Sequence, residues 1–251
     1  YYKMADLCLQ QPQPGGAEEQ WLRGLDATGW LEHVGKIIRA GAMMADAVSR
    51  GYPCITHCSD GWDRTPQLVC LAELMLDGFY SGLFVFFFFF FFLFLFPPPL
   101  PHELSLFLTK TAAGTMAGFG VLIEREWVSF GHQFAERSSL GKTLSLGGVV
   151  AGENDKNFAP VFVIWLDCVW QLLQQFPSKF EFDESLLLFL ATSYYDGRFG
   201  TFLLSSEKER LTTGAFWGTP SIWSYVSENF NSFRNSHYSQ EIGRASCRER
   251  V

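Results

Sequence analysis

Apolar residues recur at intervals of three and four from Trp21 to Val48, through Leu22, Leu25, Trp30, Leu31, Val34, Ile37, Ile38, Met43 and Met44. That period predicts a helical stretch with one buried face. Gly51-Tyr52-Pro53 ends it, and Cys54-Ile55-Thr56 then reads as a short buried strand. Leu68, Val69, Leu71, Ala72, Leu74, Met75 and Leu76 predict a helix that is apolar on most sides, as a central one would be. Pro66 falls just inside its start, where a missing N–H costs nothing. Further helices are predicted over 119–130, 160–175, 184–195 and 221–230, with Asp183 as an N-cap and Gly197 as a stop. The Trp and Phe residues of 160–182 repeat at helical spacing and are assigned to the core.

Other stretches break the pattern. Residues 1–19 are polar and carry Gln-Pro-Gln-Pro-Gly-Gly at 11–16, the composition of a linker or loop. Residues 138–157, rich in Ser, Gly, Leu and Asn, also read as loop. Between 83 and 96 the chain runs through seven consecutive phenylalanines, followed by Pro97-Pro98-Pro99-Leu100-Pro101. This apolar run is 14 residues long, short of the ~20 a membrane-spanning helix needs, and it has neither helical nor strand periodicity. Phe, Leu, Ser and Pro share all-pyrimidine codons, so the run has the character of a translated polypyrimidine tract. The tail from Glu241 to Val251, EIGRASCRERV, has the look of a cloning scar and is set aside. The chain opens Tyr1-Tyr2-Lys3 without an initiator methionine, as a fragment would.

At 251 residues the chain is long enough for one substantial domain. Its net charge of -7 argues against binding nucleic acid through bulk positive charge. Capture of a single phosphate by local donors remains open to an acidic protein. The six cysteines (8, 54, 58, 70, 168, 247) show no disulfide framework and fit a reducing cytosol. Cys54, His57 and Cys58 lack the further ligands a zinc site requires, so no metal and no cofactor is expected.

The chemistry concentrates in His57-Cys58-Ser59-Asp60-Gly61-Trp62-Asp63-Arg64-Thr65. Five residues separate Cys58 from Arg64, behind an apolar segment and ahead of a helical pattern. Such a loop turns its N–H groups inward, and the following helix adds partial positive charge. Arginine grips phosphate oxygens as a bidentate fork while the thiolate attacks phosphorus. A free thiol near ~8.5 falls to about 3.5–7.5 in surroundings of this kind.

HCSDGWDRT at 57–65 resembles the signature of the myotubularin family of phosphoinositide 3-phosphatases. The likeness extends upstream to Trp21-Leu22 and Gly29-Trp30-Leu31-Glu32-His33. Downstream it takes in Gln67 through Tyr80, Gly118-Phe119, Trp127 and Phe130-Gly131-His132, then Trp165-Leu166-Asp167-Cys168-Val169-Trp170, Gln175-Phe176-Pro177 and Phe199-Gly200-Thr201-Phe202-Leu203. In the family an aromatic pair leads through Arg-Thr to Gly-Phe; here Phe79-Tyr80 meets Ser81, and the pattern resumes at Thr115-Met116-Ala117-Gly118-Phe119. Residues 82–114 therefore read as a translated intron, leaving 20–81 and 115–240 as a partial phosphatase domain.

The resemblance implies an α/β cysteine-phosphatase fold, a central sheet flanked by helices, here incomplete. It implies removal of the D3 phosphate from phosphatidylinositol 3-phosphate and 3,5-bisphosphate through a phosphocysteine intermediate, without a metal. Cys58 would be the nucleophile, Arg64 the phosphate clamp and Asp63 the acid, since no Trp-Pro-Asp loop occurs to supply one. Alternatively, Asp63 merely orients Arg64. Ser59, Asp60, Gly61, Trp62 and Thr65 would line the substrate. Asp60 either positions substrate or water or caps an N–H, and Thr65 either bonds the thiolate or caps the helix. His57 would support the loop from beneath. The implied partners are a phosphoinositide lipid, a peripheral contact with endosomal membranes in the cytoplasm, and homo- or hetero-dimers with related members. The competing readings are an inactive scaffold and a protein-tyrosine phosphatase.

Overall fold

The computed structural model describes residues 3–4, 17–76, 114–138 and 158–238. The predicted intron over 82–114 lies outside them except for Gly114, the loop over 138–157 except for Ser138, and the tail at 241–251 entirely. The linker assigned to 1–19 overlaps the start of the first helix, which begins at Ala17.

The described residues are built of helices and turns. Helix α1 (Ala17–Thr28) passes into α2 (Trp30–Ser49) at Gly29, whose φ of 69° breaks the single long stretch expected there. Helix α3 (Arg64–Met75) follows the cysteine loop. Helix α4 (Met116–Ile123) starts at Thr115, whose hydroxyl accepts the Gly118 N–H at 3.0 Å, and it widens into a π-helical turn over Glu124–Ser129. After the short α5 (Phe134–Arg137) come α6 (Val161–Gln175) and α7 (Glu184–Asp196). Asp183 caps α7 by accepting the Ser185 N–H, and Gly197 ends it in the left-handed conformation, as the sequence predicts. The chain closes through α8 (Glu207–Thr212), α9 (Ala215–Gly218) and α10 (Ile222–Glu228). Neither α8 nor α9 has a periodic apolar face long enough to read.

The expected α/β fold with a central sheet is not what these residues form. Among them there is no strand, and one isolated antiparallel bridge joins Phe182 to Arg234. Cys54-Ile55-Thr56 is not the buried strand expected: Ile55 is 94% exposed. A three-residue segment with local β preference does not make a strand, because the strand exists only through the ladder it shares with a neighbour.

What holds the fold is an aromatic core. Phe119, Trp127, Phe134, Phe162, Trp165, Phe182, Tyr194 and Phe202 are all fully buried. Trp127 meets Phe162 edge-on at 5.1 Å between centroids, and Phe119 stacks on Trp165 at 5.5 Å. Truncating one such ring typically costs about 3–5 kcal/mol. The core assignment for 160–182 therefore holds for Phe162, Trp165, Phe180 and Phe182, whereas Phe176 and Trp170 lie at the surface, where Trp170 donates to Glu184. Helix α3 is central as predicted: Cys70, Leu71 and Ala72 are fully buried. It approaches α2 closely at Gly41, where a Cβ would stand 2.8 Å from that of Leu71. Gln67, also buried, donates to the Val161 carbonyl at 3.0 Å and ties α3 to the start of α6.

Candidate active site

The loop that precedes α3 wraps one sulfur. Gly61 adopts φ 90°, a conformation L side chains rarely reach, and this turns its N–H onto Cys58 Sγ at 3.2 Å. Thr65, in the first turn of α3, donates its hydroxyl to the same sulfur at 3.3 Å. Burial pushes the thiol up, but the Thr65 hydroxyl and the N–H groups of Gly61, Asp60 and Thr65 outweigh it and bring its pKa down to about 6. At neutral pH the sulfur is therefore largely thiolate. The two roles open to Thr65 resolve geometrically to the sulfur contact.

Arg64 is exposed, and its Nη2 donates to Ser59 Oγ at 2.8 Å; that hydroxyl in turn donates to Asp60 Oδ2 at 3.1 Å. Its guanidinium thus lies over the loop surface, held by a neutral hydroxyl that an anion can displace. His57 is exposed rather than packed beneath the loop. Trp62 is half-buried, and its indole nitrogen has no hydrogen-bond partner among the described residues.

Asp63 does not touch Arg64. Its Oδ2 accepts from Arg137 Nε at 3.1 Å and Nη2 at 2.8 Å, and its Oδ1 lies 2.9 Å from His132 Nδ1. The same Nδ1 is 2.8 Å from the Trp62 carbonyl oxygen. A proton on Nδ1 is directed at that carbonyl, so the approach to Asp63 is a close electrostatic contact more than an aligned hydrogen bond. Burial raises the Asp63 pKa, but His132 and Arg137 together hold it below the usual carboxylate range. The orienting role foreseen between Asp63 and Arg64 is played instead between Asp63 and Arg137.

Two functional residues thus escaped the sequence reading of roles. His132 is fully buried, edge-on to Trp127 at 4.9 Å and to Phe134 at 4.7 Å. Phe134 anchors α5 in the core and so sets where Arg137, at the end of that helix, can reach. The Phe130-Gly131-His132 likeness marked the first of these; no pattern marked the second. Among the described residues no three His, Cys, Asp or Glu side chains converge as a metal site requires. The assembled elements are a thiolate, inward N–H groups and a guanidinium that is free to swing, which together suit nucleophilic attack on a phosphorus centre.

Comparison with known proteins bears on this geometry. Residues 1–87 and 103–211 match the family described as "Myotubularin-like phosphatase domain". The internal unmatched stretch, 88–102, falls inside the 82–114 segment, whose flanks 82–87 and 103–114 are matched, and the match ends at 211. Myotubularin of Rattus norvegicus is 36% identical over 237 residues, covering 92% of this chain and 32% of that protein. Myotubularin of Xenopus laevis is 35% identical with the same coverage. "Phosphatidylinositol-3,5-bisphosphate 3-phosphatase MTMR6" of Caenorhabditis elegans is 34% identical over 221 residues, 88% of this chain and 27% of that protein. The chain therefore spans a third or less of the length of these curated relatives.

Proposed function

The chain belongs to the myotubularin-like phosphatase family, and on that premise we propose that it carries the active site of a phosphoinositide 3-phosphatase. Removal of the D3 phosphate from phosphatidylinositol 3-phosphate and 3,5-bisphosphate is the reaction. The observation that carries this reading is the Cys58 sulfur, brought down to about 6 by four donors one turn from Arg64. The 3-phosphatase named among the relatives supports the choice of substrate.

In the first half-reaction Cys58 Sγ attacks phosphorus and the bond from phosphorus to the inositol oxygen breaks, leaving a phosphocysteine. Arg64 leaves Ser59 for the phosphoryl oxygens and balances the charge spread over them. The departing oxygen needs a proton, and Asp63 is the loop residue assigned to give it. As held by Arg137 and His132 it is ionised, so it takes up that proton from solvent when a phosphate dianion arrives beside it and raises its pKa by like-charge repulsion. Its ionised form suits the second half, in which water attacks phosphorus, the water's proton goes to Asp63 and the thiolate leaves. On this reading the enzyme works in the cytoplasm at endosomal membranes, and the insertion expected over 82–114 is foreign to the domain across 88–102, which the family match leaves out.

The inactive-scaffold reading is disfavoured by the presence of both Cys58 and Arg64, and the protein-tyrosine phosphatase reading by the lack of Trp-Pro-Asp. The test compares phosphate release from phosphatidylinositol 3-phosphate with release from a phosphotyrosine peptide, using the full chain and Cys58→Ser. Release from the lipid that Cys58→Ser abolishes is expected. No release from the lipid, or equal release by Cys58→Ser, sinks the proposal.

A further inference from the structure

At the end of α3 away from the cysteine loop, an ionic cluster ties that helix to the π-helical turn. Arg125 donates through Nη2 to Glu73 and through Nε to Glu126 Oε1. The three side chains are only 23%, 16% and 11% exposed, in that order. Two carboxylates thus share one guanidinium beside the fully buried Cys70. No step of the proposed reaction uses this cluster, and its position explains why it is there.

The turn that carries Arg125 and Glu126 also delivers His132. A π-helical turn is wider than an α-turn and is commonly found at functional sites, its shape depending on what fastens it. Here the His132 N–H donates to the Trp127 carbonyl at 3.0 Å, the Trp127 ring meets the His132 ring, and His132 Nδ1 meets the Trp62 carbonyl. Trp62 adjoins Gly61, whose N–H faces the sulfur. One contiguous path therefore runs from Glu73 through Arg125, the turn, His132 and Trp62 back to the loop at the opposite end of the same helix.

We infer that Arg125 is a positioning residue for the Cys58 loop: by fastening the π-helical turn to α3 it fixes His132 against the Trp62 carbonyl, and with it the segment that aims the Gly61 N–H at the sulfur. The inference deepens the phosphatase reading, and its first readout needs no substrate. Arg125 suits the task because a planar fork spans two carboxylates, which a lysine's single ammonium cannot do in the same geometry.

The experiment follows alkylation of Cys58 by iodoacetamide against pH in the full chain, with Cys58→Ser to subtract the other thiols. The wild-type midpoint is expected at about 6. Arg125→Met raises it by about one unit, toward the value of a free thiol. Arg125→Lys raises it by less, and Glu73→Gln, which keeps an acceptor for Arg125, leaves it in place. His132→Asn raises the midpoint, and adding Arg125→Met to it raises it no further, since both act through one contact. If Arg125→Met shows no cooperative thermal unfolding, Arg125→Lys decides alone. A wild-type midpoint in folded Arg125→Lys, or shifts from Arg125→Met and His132→Asn that add, overturns the inference. Phosphate release from short-chain phosphatidylinositol 3-phosphate then separates the two claims. A roughly tenfold loss of kcat with KM unchanged in Arg125→Met extends the inference to catalysis. A wild-type protein that releases nothing while its thiol midpoint still responds to Arg125 defeats the phosphatase reading alone.

Discussion

Helix α3 has a carboxylate beside an arginine at each end, and the two titrate in opposite directions. Asp63, at its N-terminus, is held below the ordinary carboxylate range although burial pushes it up. Glu73, in its last turn, is raised to about 7, with burial first among the causes and Glu126 adding to it against Arg125. The difference lies in donors per charge. Asp63 has Arg137 on one oxygen, His132 close to the other, and the positive end of the helix dipole behind it. Glu73 shares one guanidinium with a second carboxylate and faces the negative end. An arginine within reach therefore does not tell whether a carboxylate is ionised; the count of charges sharing it does.

The most severe way to break the contrast is Asp63→Asn. It keeps the shape but loses the proton carrier, and kcat should fall by about 10²–10⁴-fold with KM little changed. Equal kcat in steady-state assays would remove Asp63 from the mechanism. Next comes Arg137→Met, which leaves Asp63 only its His132 contact. Its pKa then rises, and phosphate release should drop by roughly tenfold, the order expected for a charged partner of a reacting group. Stability follows the same logic: the contribution of Asp63 is present above its unfolded pKa and is lost as pH falls through the depressed folded value. The melting point of Arg137→Met should accordingly fall less on acidification than that of the wild type. The smallest effect belongs to Glu73, whose sign is reversed. Its raised pKa favours the fold below the unfolded value and loses that contribution as pH rises through about 7. Because the lowered Cys58 thiol adds stability as pH rises above about 6, the test is a difference: from pH 5 to pH 8 the melting point of Glu73→Gln should rise by about 2–4 °C relative to the wild type. An unchanged difference between the two proteins over this interval would show that the carboxylate is ionised throughout.

The same contrast explains what could be read from the residues in advance. Cys58, Gly61, Arg64 and Thr65 lie within one eight-residue stretch, and the backbone requirement at Gly61 and the start of α3 are local, so the thiolate cradle was legible. Asp63 was legible as a member of the loop but not in its partners: His132 and Arg137 lie about seventy residues away and arrive through the folding of the aromatic core. Helices α6 and α7 were placed nearly to the residue because their apolar spacing and the Asp183 and Gly197 signals agree. The sheet failed for the opposite reason, since pairing is a property of two segments and Cys54-Ile55-Thr56 has no second one among the described residues. The π-helical turn left no trace either, because one extra residue per turn leaves the apolar spacing of 119–130 almost unchanged.

The close approach of α2 and α3 at Gly41 carries a consequence for what the chain tolerates. Alanine is the better helix former, by about 1 kcal/mol at an exposed interior position. At residue 41 that preference is overruled by clearance, because the added methyl would drive against the Leu71 side chain at 2.8 Å and force the helices apart. Leu71 belongs to the rod whose first turn holds Arg64 and Thr65. A change of one methyl group on α2 thus presses on the helix that carries Thr65, one of the sulfur's own donors. The permissible size of residue 41 is set by the clearance to a neighbouring helix and not by the propensity of the helix in which it resides.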